Sequence, residues 1–179
     1  MKKLIVITGH PGSGKTSVAK AISTMYGIPF ISKDTLKECI FDTLGSSDKQ
    51  WSLKVSAAAH RITDKIIENH LEIGGSIIIE SNFKPEIDST RFTEIIERYN
   101  AECLQLLCVA SPEVLYERWV GRIEAAKRHE GHTEAISLDE IRENFKEDFS
   151  PLNLPGDVVE LDTTDFATIE KTLGQLPIR

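Results

Sequence analysis

The 179-residue chain lacks any apolar run long enough to cross a bilayer: Leu4 to Ile7 and Ile77 to Ile79 are among its longest. Its three cysteines, Cys39, Cys103 and Cys108, form no CxxC pair, and two fall in an apolar, strand-like run, so buried reduced thiols are expected rather than disulfides or a thiolate metal site. It also lacks positive charge in excess. A formal net charge of -7 disfavours general binding to nucleic acid, whose phosphates are held chiefly by clustered Lys and Arg. There is no internal repeat and no low-complexity linker. The opening Met-Lys-Lys-Leu-Ile-Val-Ile has a signal-like start, but its apolar stretch ends at once in a glycine-rich loop without a small-residue cleavage site. A cytoplasmic location without a membrane partner is therefore expected. No feature specifies an oligomeric partner.

What is present is the composition of an ordinary globular protein, 40% hydrophobic and 27% charged, in a length suited to one domain over 1–179. Short apolar runs alternate with helical periodicity. Leu4 to Ile7 reads as a strand buried on both faces, followed by a helix over Lys15 to Tyr26 that Gly27-Ile28-Pro29 stops. A second strand is expected around Phe30-Ile31. A long helix over Lys49 to Glu72 places Trp51, Val55, Ala58, Ile62 and Ile66 on one face, and Ser76 to Glu80 is a third strand. A helix with Phe92, Ile95, Ile96 and Tyr99 precedes the strand Leu104 to Val109. Ser111-Pro112 and the capping box Ser137-Leu-Asp-Glu140 start two more helices. Val158 to Leu161 and a last helix with Phe166, Ile169 and Leu173 complete the pattern. This rhythm predicts an α/β fold: a doubly wound, roughly five-stranded parallel sheet flanked by helices, with ligands at the carboxyl ends of the strands.

Between the first strand and helix lies Gly9-His10-Pro11-Gly12-Ser13-Gly14-Lys15-Thr16, which matches the P-loop pattern GxxxxGK[ST] in the context its mechanism needs. Such glycines let backbone N–H groups turn inward around phosphate oxygens, and the helix N-terminus adds partial positive charge. Lys15 is expected to reach the β- and γ-phosphates, Thr16 to offer a hydroxyl to Mg²⁺, and residues through Ser17 to form the nucleotide site. His10 reads as loop variation. No Asn-Lys-x-Asp element for guanine and no GxGxxG for a dinucleotide occurs, so ATP is the expected nucleotide.

The chain resembles the P-loop kinases of the adenylate kinase, gluconate kinase and chloramphenicol phosphotransferase group. The loop is joined by three shorter elements in matching order. Ile31-Ser-Lys-Asp34-Thr-Leu-Lys37 looks like the segment that holds the phosphate acceptor. The resemblance makes Asp34 the candidate base and Lys37 an acceptor contact; the alternative for Asp34 is a helix cap. Ile79-Glu80-Ser-Asn82-Phe-Lys84 resembles a Walker-B-like strand end, where Glu80 would hold a metal-bound water or the acceptor, with Asn82 and Lys84 beside it. Ser111-Pro-Glu-Val-Leu-Tyr-Glu-Arg118-Trp-Val-Gly-Arg122 is similar to the helix entering an adenylate kinase lid. By that likeness Arg118 packs on adenine and Arg122 meets the phosphates, while Arg128 lies in a lid over about 122–136. A helical segment over about 34–73 would wall the acceptor, with Trp51 as core or pocket wall, and Asp162-Thr163-Thr164 would lie beside adenine through backbone groups.

The implied activity is transfer of the γ-phosphate of ATP to a hydroxyl of a small molecule. Lysines at 37 and 84, where adenylate kinases use arginine, cannot form a bidentate fork on an acceptor phosphate. A nucleoside monophosphate kinase is the alternative enzyme, and a nucleotide switch or partner-binding ATPase the alternative class. A kinase of RNA ends or of nucleotide sugars is disfavoured by the acidic balance. His129 and His132 offer an incomplete zinc set.

Overall fold

The structure is a computed structural model that describes residues 2–125, 129, 137–166 and 169–178. Five strands, β1 (Lys3–Gly9), β2 (Phe30–Ser32), β3 (Ile77–Glu80), β4 (Glu102–Val109) and β5 (Asp157–Asp162), form one sheet in the order β2-β3-β1-β4-β5. Every pairing is parallel. Around it lie α1 (Lys15–Tyr26), α2 (Lys33–Leu44), α3 (Lys49–Glu72), α4 (Pro85–Tyr99), α5 (Pro112–Glu124), α6 (Leu138–Asn144) and α7 (Ile169–Leu173). No helix among the described residues is long and apolar enough to cross a membrane.

The apolar run of β1 is continuous because both of its faces are covered. Ile5 and Ile7 point to a cluster with Val18 and Ile22 of α1 and Leu173 of α7, while Leu4 and Val6 point to one with Ile67 and Leu71 of α3 and Phe92 of α4. A smaller cluster, Leu115, Ile141 and Phe145, joins α5 to α6. From β1 the chain winds to one side for β2 and β3 and to the other for β4 and β5. The crevice of this switch therefore opens beyond the carboxyl end of β1.

The bounds of α1 and α3 agree with the sequence reading, as do the Ser111 cap, which accepts from Val114 N–H, and the reciprocal Ser137/Glu140 capping box. The buried face of α3 does not. It runs through Val55, Ala59, Thr63, Ile67 and Leu71, whereas Ala58 is exposed and Ile62 is 41% exposed. The buried face also carries Asp64, which can turn inward because Arg91 of α4 pairs with it. Apolar periodicity alone therefore pointed one residue astray. Cys103 and Cys108 are buried and burial pushes both thiols up to about 12, but Cys39 is exposed on α2, against expectation.

Candidate active site

The loop between β1 and α1 holds its shape by close backbone approach. Gly9 has φ 143°, and a Cβ there would lie 2.2 Å from the Cys108 carbonyl oxygen of the adjoining strand. Gly14, at φ 80°, opens α1 with the Phe166 ring against it; a Cβ would stand 2.4 Å from that ring. Lys15 is buried and folds back over the loop, its Nζ donating to the carbonyls of Gly9 at 3.0 Å and His10 at 2.8 Å. Burial holds its pKa below the ordinary lysine value, against the attraction of Glu80. Ser13 Oγ is buried without a hydrogen-bond partner among the described residues. A concave loop with a desolvated ammonium and an unmet hydroxyl fits an anionic ligand.

The parallel register sets Ile7 beside Glu80, which brings the carboxylate at the end of β3 alongside the loop. Thr16 Oγ1 donates to Glu80 Oε1 at 3.0 Å, and Glu80 is only 4% exposed. A hydroxyl and a carboxylate form an oxygen donor set that suits Mg²⁺, an ion that takes one or two protein ligands together with phosphate oxygens. Among the described residues no three His, Cys, Asp or Glu side chains converge as a metal cluster. His129 instead bonds Asp42 at 3.0 Å and stacks on Phe41, while His132 and Arg128 lie outside the described residues.

Arg118 and Thr163 clasp the loop from behind. The Arg118 guanidinium donates to the carbonyls of Gly12, Thr163 and Thr164 at 2.8 to 3.3 Å and sits 5.8 Å from the centre of the Phe166 ring. Thr163 is fully buried, its hydroxyl 2.7 Å from Ser13 O and 2.8 Å from Val109 O. Its side chain, rather than its backbone alone, is thus what touches the loop. His10 turns away from the cradle, bonding the Glu147 carbonyl at 2.8 Å between the edges of Phe145 and Phe149.

A cleft of about 500 Å³ opens in front of Lys15 and Thr16. Asp34, Lys37, Glu80 and Asn82 line it on one side and Arg122 of α5 on the other, with Pro11 at the loop. Asp34 is not a cap: Ser32 Oγ accepts from Thr35 N–H at 3.3 Å, leaving Asp34 in the first turn of α2 with half its side chain exposed. Lys84 is exposed at the start of α4 and is not among the lining residues. Trp51 does not line the cleft either; its indole N–H donates to Gly45 O at 2.8 Å and ties the α2–α3 turn. Along α3 it is Ser56 that lines the cleft, while Ala57 and Ala58 face outward. A shallower depression of about 280 Å³, around Cys103, Pro155 and Gly156, lies at the opposite end of the sheet from the loop.

A family model described as an AAA domain matches residues 4–147. The chain belongs to this AAA-domain family of P-loop proteins. A Chloroflexus aurantiacus protein provisionally named a kinase has a crystal structure 37% identical in sequence, with a TM-score of 0.89 over 97% of this chain and 95% of that one. A gluconokinase from Sinorhizobium meliloti 1021 aligns at 19% identity and TM-score 0.57, over 96% and 89% of the two chains. A sugar kinase from Janibacter sp. HTCC2649 aligns at 17% and 0.56, over 97% and 90%. The last two show the fold alone. No curated protein sequence matches the chain significantly.

In this AAA-domain chain, sequence reasoning missed a polar array between α3 and α4. Arg91 pairs with Asp64 and Asp88 and donates from Nη2 to His60 Nδ1 at 3.2 Å, and Asp88 Oδ2 accepts from Lys84 N–H at 2.9 Å. Since arginine only donates, His60 carries its hydrogen on Nε2. Burial, reinforced by the Lys33 and Arg91 cations, pushes His60 down to about 4. The sequence signal was Asp88, four residues before Phe92 on the apolar face of α4; Asp64 lies off the face that apolar periodicity predicts for α3.

Proposed function

We propose that this protein is a kinase that binds ATP with Mg²⁺ and transfers the γ-phosphate to a hydroxyl of a small molecule. The observation that carries this reading is the convergence, on one cleft, of Lys15, Thr16 and Glu80 with Asp34 and Asn82 on one wall and Arg122 on the other. A nucleotide switch needs the cradle; it does not need polar residues of α2, α3 and β3 lining the same cleft.

In the proposed reaction, backbone N–H groups of Gly12 to Thr16 hold the β- and γ-phosphates, and Lys15 exchanges its carbonyl partners for phosphate oxygens. The Thr16 hydroxyl, with Glu80 behind it, would hold Mg²⁺, which would supply positive charge to the phosphates. The acceptor oxygen forms a bond to the γ-phosphorus as the bond to the β–γ bridging oxygen breaks, and ADP leaves. The acceptor proton passes to the Asp34 carboxylate and then to solvent. Arg122 of α5 meets the charge on the transferring group; Arg128, in the proposed lid segment over about 122–136, lies outside the described residues. Arg118 and Thr163 fix the loop rather than touch the reacting atoms.

The test is transfer of γ-labelled phosphate from MgATP in the presence of a deproteinised metabolite extract, with Lys15→Ala as blank. Label in a new organic phosphate supports the kinase. Label only in inorganic phosphate, at a rate the extract leaves unchanged, means an ATPase or switch instead.

A further inference from the structure

Resting on that reading, we infer that the acceptor is a polyhydroxylated, sugar-like small molecule rather than a nucleoside, a nucleotide or an aromatic compound. The two sides of the cleft differ in chemistry. Every described residue lining it from α2, α3 and the end of β3 is polar, including Ser32, Asp34, Thr35, Ser56, Glu80 and Asn82. The apolar lining among the described residues, Pro11, Trp119 and Ile123, belongs to the phosphate loop and α5.

A flat base or aryl ring gains most of its binding from apolar and stacking contact. Among the described residues α2, α3 and the end of β3 offer none, and the one ring beside them, His129, is itself stacked on Phe41. The aromatic side chains nearest in sequence are engaged elsewhere: the Phe41 ring is 3% exposed, stacked on His129 at 5.9 Å and approached by Lys37 Nζ at 5.5 Å, while Trp51 ties Gly45. A wall of hydroxyls, carboxylates, an amide and the Lys33 and Lys37 ammonium groups presents donors and acceptors together. That pattern matches a ligand whose every carbon bears a hydroxyl, each group able both to donate and to accept. Rejection of other ligands follows too, since an apolar ring pressed on this wall would strip water from polar groups and leave them unpaired.

Acceptor-stimulated ADP release from MgATP is measured with the full chain against three sets of probes. The first is D-glucose, D-ribose, D-gluconate, sorbitol and myo-inositol; the second adenosine, uridine and AMP; the third chloramphenicol and tyramine. Stimulation confined to the first set is expected, with new organic phosphate equal to ADP formed. For the most active probe, Ser56→Val is expected to raise KM about tenfold while KM for ATP stays unchanged, the effect of one lost hydrogen bond. Stimulation by the second or third set overturns the inference, as does a silent first set when calorimetry shows that MgATP binds. If MgATP itself does not bind, the proposed function has failed first and this inference falls with it.

Discussion

Thr16 Oγ1 donates to Glu80 Oε1 at 3.0 Å, so two residues 64 positions apart are joined where the phosphate loop meets the end of β3. The bond orients the threonine lone pairs and keeps a buried carboxylate next to them. Glu80→Gln preserves shape and removes the charge that would compensate a divalent cation. We expect kcat to fall roughly 100-fold, as for loss of one preorganised electrostatic group, with saturation moved to higher Mg²⁺. A magnesium titration of turnover measures this; unchanged magnesium dependence would reject the role of Glu80.

Thr163 braces the loop from β5 through Ser13 O and Val109 O in a fully buried position. Thr163→Val keeps the volume but removes the one hydroxyl hydrogen that the two carbonyls share; Val109 O keeps the Thr163 backbone N–H, while Ser13 O loses its contact with the hydroxyl. The expected loss of stability is about 1–3 kcal/mol, read as a lower midpoint in thermal or urea unfolding. Nucleotide affinity should fall with it, because the Ser13 backbone belongs to the phosphate cradle.

These first two relationships also show what sequence could reveal. The P-loop, the bounds of α1 and α3 and both serine caps are local: each depends on residues within a few positions of one another, so they were legible. The Thr163 brace spans 150 residues, and a threonine in a loop gives no sign of being sealed by a distant carbonyl. The face of α3 was misread for the same reason. Asp64 looks like a surface residue until Arg91 arrives from α4. The resemblance of the 79–84 segment makes Lys84 an acceptor contact, but the turn into α4 uses its backbone N–H to meet Asp88 and leaves the side chain in solvent.

Arg118 reaches three carbonyls with one planar fork. Arg118→Lys keeps the charge but presents a single ammonium, which cannot span Gly12 and the 163–164 turn together. ATP affinity is expected to drop about tenfold by calorimetry, the equivalent of about 1.4 kcal/mol, while the fold by circular dichroism is retained. Wild-type affinity in this variant would show that the clasp is not what holds the loop.

His60 gives the molecule a pH signature with a definite sign. Its folded-state pKa, about 4, lies below the ordinary 6.5, so the unfolded chain binds more protons between those values. Stability contributed by the neutral ring is therefore complete above pH 6.5 and is lost as pH falls toward 4. A quarter of the side chain reaches solvent, which screens the effect to about 2 kcal/mol over that interval. His60→Gln, which can still accept from Arg91, should flatten this part of the urea-unfolding profile. An equal slope in both proteins would place the titration elsewhere.

Substitution of Asp34, the proposed base, tests proton transfer apart from nucleotide binding. It lines the cleft with Lys15 and Glu80, yet it stands in the first turn of α2, on a different element from the phosphate loop. Its partner Lys33 is mostly buried, but the pair is long at 3.8 Å and Asp34 itself is half exposed to screening water, so replacing the carboxylate costs the fold little. Asp34→Asn should therefore bind MgATP as the wild type does, while transfer to an acceptor falls roughly 100- to 10,000-fold, the range for loss of a general base. A chain whose transfer survives this change uses a different base, and Asp34 would then serve only to shape the entrance of α2.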